Sequence, residues 1–167
     1  MKIRKSILLV IVGSFFSLHS FSQNVLINIL TQNSGIISKG GKGFLEITIC
    51  NTDPIDSVPV YKLRPQISFP SSIARIPESG HILPAGWAVI SNDGSTVRLS
   101  NGTDMIPANV CRTILIAIEG KETGGPSTIS GSLLFSNGVA PGSFPGAATR
   151  NDNPADNNST STCKVDK

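Results

Sequence analysis

The sequence has few charged side chains, few aromatic ones and almost no excess of either charge sign. Charged residues make up 15% and aromatic residues 5% of its 167 residues, whereas soluble domains usually have about 25% charged residues. Fourteen Lys and Arg are opposed by eleven Asp and Glu, and three of the fourteen lie in the first five positions. Nucleic-acid binding needs a clustered positive excess, so the composition excludes a nucleic-acid partner.

The motifs of common catalytic and metal sites are also missing. The sequence contains no Gly-x-Ser-x-Gly, no His-Glu-x-x-His and no pair of cysteines at zinc-ligand spacing. The segment 39–43 looks like a phosphate loop, but it lacks the Gly-Lys-Ser/Thr ending and precedes a strand pattern. Beyond position 22 His81 is the only histidine, so a triad would depend on it alone. We predict no enzyme activity, no cofactor and no bound metal.

Long hydrophobic runs are absent except near the N terminus. Residues 7–16 carry no charge and follow basic residues at positions 2, 4 and 5. Ser20 and Ser22 then provide the small residues of a cleavage site before Gln23. This is the layout of a secretory signal peptide, and the run is shorter than the roughly 20 residues of a membrane span.

Cleavage after position 22 divides the chain into a signal peptide, 1–22, and one domain, 23–167. The domain carries eleven basic and eleven acidic side chains, and its length suits a single hydrophobic core. We predict a Sec-exported protein that is secreted, surface-bound or periplasmic and has no transmembrane span after cleavage.

Glycine and proline are frequent and spread along the chain, with sixteen Gly and eleven Pro. Between them lie short runs rich in Val, Ile, Thr and Ser, which is typical of an all-β sandwich or barrel. The pattern predicts about seven to nine strands and no long helix. The strand segments are 24–31, 44–51, 58–69, 73–76, 87–91, 96–100, 106–110 continuing into 112–119, 128–136 and 159–165.

Several strands have a recognisable place in the predicted sandwich. Residues 24–31 are apolar enough for a strand covered on both faces, and 112–119 is apolar enough to be central. Alternation predicts that Leu45, Ile47 and Ile49 face the core. Pro59 and Pro65 restrict 58–69 to an edge or a bulged strand, because proline cannot donate to a sheet ladder.

Three segments of the chain resemble the bacterial surface-repeat family known as DUF11. The strand 44–51, Phe-Leu-Glu-Ile-Thr-Ile-Cys-Asn, is followed by an Asp-Pro turn like that family's second strand. The segment 83–87, Leu-Pro-Ala-Gly-Trp, is similar to the element before its hairpin. The segment 153–162 is similar to its Asn-Pro exit into a Thr-rich last strand. The resemblance implies an immunoglobulin-like sandwich on a secreted or surface protein, with no catalytic residues.

The three cysteines, Cys50, Cys111 and Cys163, all lie in the domain expected to be exported, where disulfides form. In an immunoglobulin-like order the strands that carry Cys50 and Cys111 are antiparallel neighbours. We therefore predict a Cys50–Cys111 bond. Cys163 is then either a free thiol or the site of an intermolecular bond.

A few residues could contact ligands or be modified. Trp87 and Tyr61 are the only Trp and Tyr and could stack on a sugar, although such a Trp is more often in the core. Ser57 follows Asp56 in the short acceptor pattern for O-glycosylation of exported Bacteroidetes proteins. The Asn- and Asp-rich segment 151–158 has suitable oxygens for calcium, but it lacks the Asp-x-Asp-x-Asp-Gly order, and its composition is that of the commonest turn formers, which favours a turn.

Together these features predict an exported, non-catalytic immunoglobulin-like module with a structural or adhesive role. Its partners would be other surface proteins or glycans. A carbohydrate-binding module and a disulfide-linked subunit of a surface assembly are the alternatives. Homo-oligomers could form through Cys163 or through an exposed edge strand, 58–69 above all.

Overall fold

A computed structural model describes residues 24–136, 146, 148 and 152–167 as two packed sheets. The four-stranded sheet has the order β1-β3-β8-β5 and the six-stranded sheet the order β2-β10-β9-β4-β7-β6. The predicted signal peptide and most of 137–151 lie outside the described residues. The strands are β1 (Val25–Thr31), β2 (Ile36–Ser38), β3 (Lys42–Asn51), β4 (Leu63–Ser68), β5 (Ala74–Arg75), β6 (Ala88–Asn92), β7 (Thr96–Ser100), β8 (Val110–Gly120), β9 (Gly124–Phe135) and β10 (Asn158–Asp166).

Alternation along the strands builds the core between the sheets. Leu45, Ile47 and Ile49 of β3 are fully buried, as their spacing predicts. They meet the inward side chains of the six-stranded sheet, among them Ile67 and Ile129, which are also fully buried. A face-to-face packing of two mostly antiparallel sheets is a β-sandwich, so the predicted fold class is confirmed.

The predicted edge position of 58–69 is wrong. Its regular part, β4, lies inside the six-stranded sheet, between β9 and β7. Proline is tolerated there because the β4–β7 ladder covers only residues 66–68. The Leu63 amide on the same side donates to Asn101 Oδ1 at 2.9 Å. Alternate amides of a strand point to the same neighbouring strand, so Leu63 and Pro65 both face the β7 side. The missing N–H of Pro65 therefore lies beyond the end of the β4–β7 ladder.

β1 is an edge of its sheet, but side chains from β10 cover its outer amides. The amides of Ile29 and Thr31 donate to the hydroxyls of Ser159 and Ser161 at 3.0 and 3.2 Å. The two sheets are therefore joined along this border by side chains rather than by a backbone ladder. An edge whose amides are satisfied is a poor template for pairing with another chain.

Two strand features differ from the sequence-based expectation. The strand predicted at 128–136 begins four residues earlier, because the Gly-Gly-Pro segment 124–126 is already part of β9, with a cis peptide bond before Pro126. β2 was not predicted, because three residues are too few for a period. It follows a 3-10 turn at Asn33–Gly35 and pairs in parallel with β10.

Candidate functional site

Four side chains form a row across the outer face of the four-stranded sheet. Leu30 of β1 lies opposite Glu46 of β3, and Glu46 lies opposite Leu115 of β8. Ile82, from the segment before β6, continues the row through a backbone bridge to Leu115. Strands are spaced by about 4.8 Å, so the row spans roughly 14 Å. We call Leu30, Glu46, Leu115 and Ile82 the outer row.

The apolar members of the outer row are left open to solvent. Leu30 is 59% and Ile82 56% exposed, and Leu115 between them is half-buried. Phe44, also half-buried, lies next to Glu46 on the same face of β3. Single exposed apolar residues are common, but contiguous ones mark interaction sites.

Glu46 is the single charged residue of the outer row. It is half-buried between aliphatic neighbours, and within the described residues it forms no ion pair. The Arg75–Glu119 pair near the end of the same sheet, by contrast, is closed by two hydrogen bonds of 2.8 and 2.9 Å. A carboxylate left open beside apolar side chains is suited to a basic group brought by a partner.

A disulfide crosses the same face four residues along β3 from Glu46. Cys50 and Cys111 are directly opposite each other on β3 and β8, and their sulfur atoms are bonded. The intervening pair is Thr48 and Thr113. The bond fixes the two strands that carry Glu46 and Leu115, so the outer row rests on a rigid base.

His81 borders the outer row next to Ile82. Its Nδ1 accepts a hydrogen bond from the Ala117 amide at 3.1 Å. This requires that Nδ1 carries no proton, so the imidazole is neutral. Burial lowers the pKa of His81, and the Pro77 carbonyl opposes this only in part. The ring therefore secures the segment that presents Ile82, and its nitrogen is not free to act as a general base.

We expect the stability of the domain to depend on the ionisation of His81. A folded-state pKa below the ordinary value of about 6.5 contributes stability that is present above pH 6.5 and lost as the pH falls through the folded value. The loss should be at most about 1 kcal/mol, the net contribution of one hydrogen bond. Urea unfolding at pH 7 and pH 5 tests this against His81→Asn, whose Oδ1 accepts without titrating. Parallel pH profiles for the two proteins would contradict it.

Trp87 is part of the core rather than a ligand contact. It is only 7% exposed, and its Nε1 donates to Asp104 Oδ2 at 2.7 Å. Burial opposes the ionisation of Asp104, but hydrogen bonds from Arg112 and Trp87 outweigh it and lower the pKa of that carboxyl. The indole cannot stack on a sugar from this position, so the Trp87 assignment is corrected and the carbohydrate-binding alternative loses its main support.

Tyr61 and Ser57 both lie in the connection between β3 and β4. Tyr61 is half-buried and has a positive φ of 58°. Its amide donates to the Gly102 carbonyl at 3.0 Å, and its own carbonyl accepts from the Ser136 hydroxyl. Ser57 is half-buried directly before the buried Val58. Neither residue lies on the strands that carry the outer row.

Cys163 lies in the core of the six-stranded sheet with no exposed surface. Burial raises the pKa of its thiol, which reduces its reactivity because the thiolate is the reacting species. A disulfide to another chain would require β10 to leave the sheet. Oligomers linked through Cys163 are therefore not supported by its position.

The outer row escaped sequence reasoning because its apolar residues were interpreted as buried. Leu26 and Leu30 alternate with the core residues of β1, and this predicted a strand covered on both faces. In the structure nothing within the described residues covers Leu30. The signal that could have indicated an exposed apolar surface was a strand at the edge of a sheet with apolar residues on both of its faces.

The described part of the chain lacks the features of two other classes of site. No helix there is long and apolar enough to cross a membrane. These residues contain no group of three or more His, Cys, Asp or Glu side chains that could hold a metal ion.

Solved structures share the architecture of this domain at low sequence identity. A cohesin module from a Clostridium perfringens family 33 glycoside hydrolase aligns with a TM-score of 0.51 and 12% identity, over 86% of this chain and 98% of that one. An uncharacterized Nocardia farcinica protein with an immunoglobulin-like fold aligns with a TM-score of 0.45 and 16% identity, over 82% and 98%. A CARDB domain from Pyrococcus furiosus aligns with a TM-score of 0.48 and 8% identity, over 87% and 90%. No protein-family model and no curated protein matches the sequence significantly. The fold is immunoglobulin-like.

Proposed function

We propose that this chain is an exported, non-catalytic module that binds a partner protein on the outer face of its four-stranded sheet. The single observation that carries the proposal is the outer row, in which a carboxylate without an ion pair in the described residues lies among the exposed Leu30 and Ile82 and the half-buried Leu115. This combination favours a partner surface with apolar groups around one Lys or Arg. The burial of Trp87 favours a protein partner over a sugar.

Export and family membership belong to the same proposal. The disulfide between Cys50 and Cys111 supports an oxidising compartment outside the cytosol. A signal peptide at 1–22 and a domain at 23–167 fit that location. The DUF11-like segments 44–51, 83–87 and 153–162 support a place among bacterial surface domains. In this view Ser57 stays a candidate for O-glycosylation.

Site-specific photocrosslinking tests the proposed binding face. A photoreactive amino acid replaces Leu30 in cells that produce the protein, and the matched control places it at Ile90, which is 46% exposed on the other sheet. We expect a crosslinked protein from position 30 and none from position 90. Equal crosslinking at both positions, or a crosslink only to a second copy of the chain, would overturn the proposal.

The charge of Glu46 provides the sharper second test with the captured partner in purified form. Glu46→Lys should weaken binding by at least tenfold, because it places like charges against each other in a desolvated contact. Reversing the facing basic residue of the partner should restore most of that affinity. Ile90→Ser should leave the dissociation constant unchanged. An affinity that is indifferent to Glu46→Lys would refute the role of the outer row.

A further inference from the structure

The loop before β10 holds a closed ring of contacts with the start of β1. Asp152 Oδ1 accepts from the Val25 amide at 3.2 Å, and Asp152 Oδ2 accepts from Asn157 Nδ2. Asp156 Oδ2 accepts from Asn24 Nδ2 at 3.2 Å. Since Asn24 precedes Val25, these contacts hold both carboxylates beside the start of β1.

Two oxygens of this ring are buried without a hydrogen-bond donor. Of the three buried side-chain atoms that lack a partner in the described residues, two are Asp156 Oδ1 and Asn157 Oδ1. Asn157 is only 8% exposed. Asp156 and Asn157 are adjacent in the loop, and each has one buried side-chain oxygen that still needs a partner.

Buried acceptors without donors are costly and rare in folded proteins. Here they accompany two carboxylates, and neither carboxylate forms a salt bridge within the described residues. A bound cation would satisfy the free oxygens and neutralise the negative charge together. Carboxylate and carboxamide oxygens are the preferred ligands of Ca²⁺, which accepts irregular coordination completed by water, whereas Mg²⁺ demands an octahedron.

We propose that Asp152, Asp156 and Asn157 bind one calcium ion that fastens the start of β1 to the start of β10. Two carboxylates and one amide suit an affinity in the range of extracellular calcium modules, about 0.1 to 1 mM. The sequence lacks the ligand order of a helix-loop-helix calcium site because the fold gathers these oxygens around Asn24 and Val25 instead. The site is separate from the outer row and does not depend on the proposed binding function.

Thermal unfolding and calorimetric titration of the purified chain test the site. Addition of about 5 mM Ca²⁺ to EDTA-treated protein should raise Tm by roughly 3 to 6 °C, and the titration should give one site per chain. Magnesium and sodium at matched ionic strength should shift Tm much less. No calcium shift and no binding heat would overturn the proposal and leave ordered water as the partner of these oxygens.

Isosteric variants show whether the effect belongs to this loop. Asp156→Asn should lose most of the calcium shift while keeping or raising Tm in EDTA, because it removes repulsion between two carboxylates. Asp166→Asn, which changes an exposed carboxylate paired with Lys164 at 2.7 Å, should retain the full shift. Asp152→Asn provides a second variant if Asp156→Asn folds poorly. An equal calcium shift in all three variants would assign it to nonspecific surface binding and refute the site.

Hydrogen exchange gives a readout at the strands themselves. Calcium should slow exchange of the Val25 amide, which donates to Asp152. It should leave unchanged the Ile82 amide, which donates to Leu115 of β8 at 2.8 Å, on the side of the four-stranded sheet away from β1. A uniform change in exchange rates across the domain would contradict a calcium ion that acts only on this loop and the start of β1.

Discussion

Replacing both Cys50 and Cys111 by serine is expected to lower the free energy of unfolding by about 4 kcal/mol. The bond joins residues 61 positions apart, and closing a loop of that length removes about that much chain entropy from the unfolded state. Urea unfolding of the oxidised protein and the double variant measures the difference. Since typical domains have only about 5–15 kcal/mol of stability, the variant should be close to unfolding at 37 °C.

The neighbouring cross-strand pair supplies the control for this double substitution. Thr48 and Thr113 are opposite each other on the same face, two residues from the cysteines. Thr48→Ser with Thr113→Ser therefore disturbs the same strands without removing a covalent link. Its unfolding midpoint should change little. A reducing agent should destabilise the wild type and not the cysteine variant. If reduction leaves the wild-type midpoint unchanged, the bond does not contribute the expected stability.

Asn101→Ala is expected to cost about 3 kcal/mol, although it removes only one carboxamide. Asn101 has no exposed surface. Its Nδ2 donates to the Pro59 and Asp104 carbonyls at 2.8 Å each, and its Oδ1 accepts from the Leu63 amide at 2.9 Å. Truncation removes all three hydrogen bonds and leaves the Leu63 amide, whose bond to Asn101 is buried, without its acceptor, whereas the Pro59 carbonyl keeps a long contact of 3.4 Å from the Lys62 amide. Each buried group left unsatisfied costs about 1–3 kcal/mol. Equilibrium urea unfolding measures the loss.

Two further substitutions separate the hydrogen bonds of Asn101 from simple packing. Asn101→Asp keeps the shape but replaces a donor by an acceptor facing two carbonyls, so it should destabilise at least as much as alanine. Asn28→Ala removes an exposed asparagine on β1 and should cost less than about 0.5 kcal/mol. If Asn101→Ala also lowered the free energy of unfolding by less than about 0.5 kcal/mol, the three hydrogen bonds of Asn101 would not be needed for stability.

Sequence reasoning succeeded where local alternation and the final burial agree. In residues 45–49 of β3 and 114–118 of β8 every second residue is Leu or Ile, and Leu45, Ile47, Ile114 and Ile116 have no exposed surface. It failed where a local rule was overruled by neighbours. Pro65 suggested an edge strand, yet β4 is internal because its ladder to β7 ends before the proline. Trp87 offered a stacking surface, yet Asp104 and the core enclose it.

The sequence by itself determined the all-β class, the core-facing residues of the strands and the absence of a charge excess, because these follow from composition and from the period of two along a strand. Only the tertiary structure decided which residues meet across strands. Leu30, Glu46, Leu115 and Ile82 come from four separate segments, and Asn24 meets Asp156 across 132 positions. Register and sheet order create both sites, and neither is encoded in any single stretch of the chain.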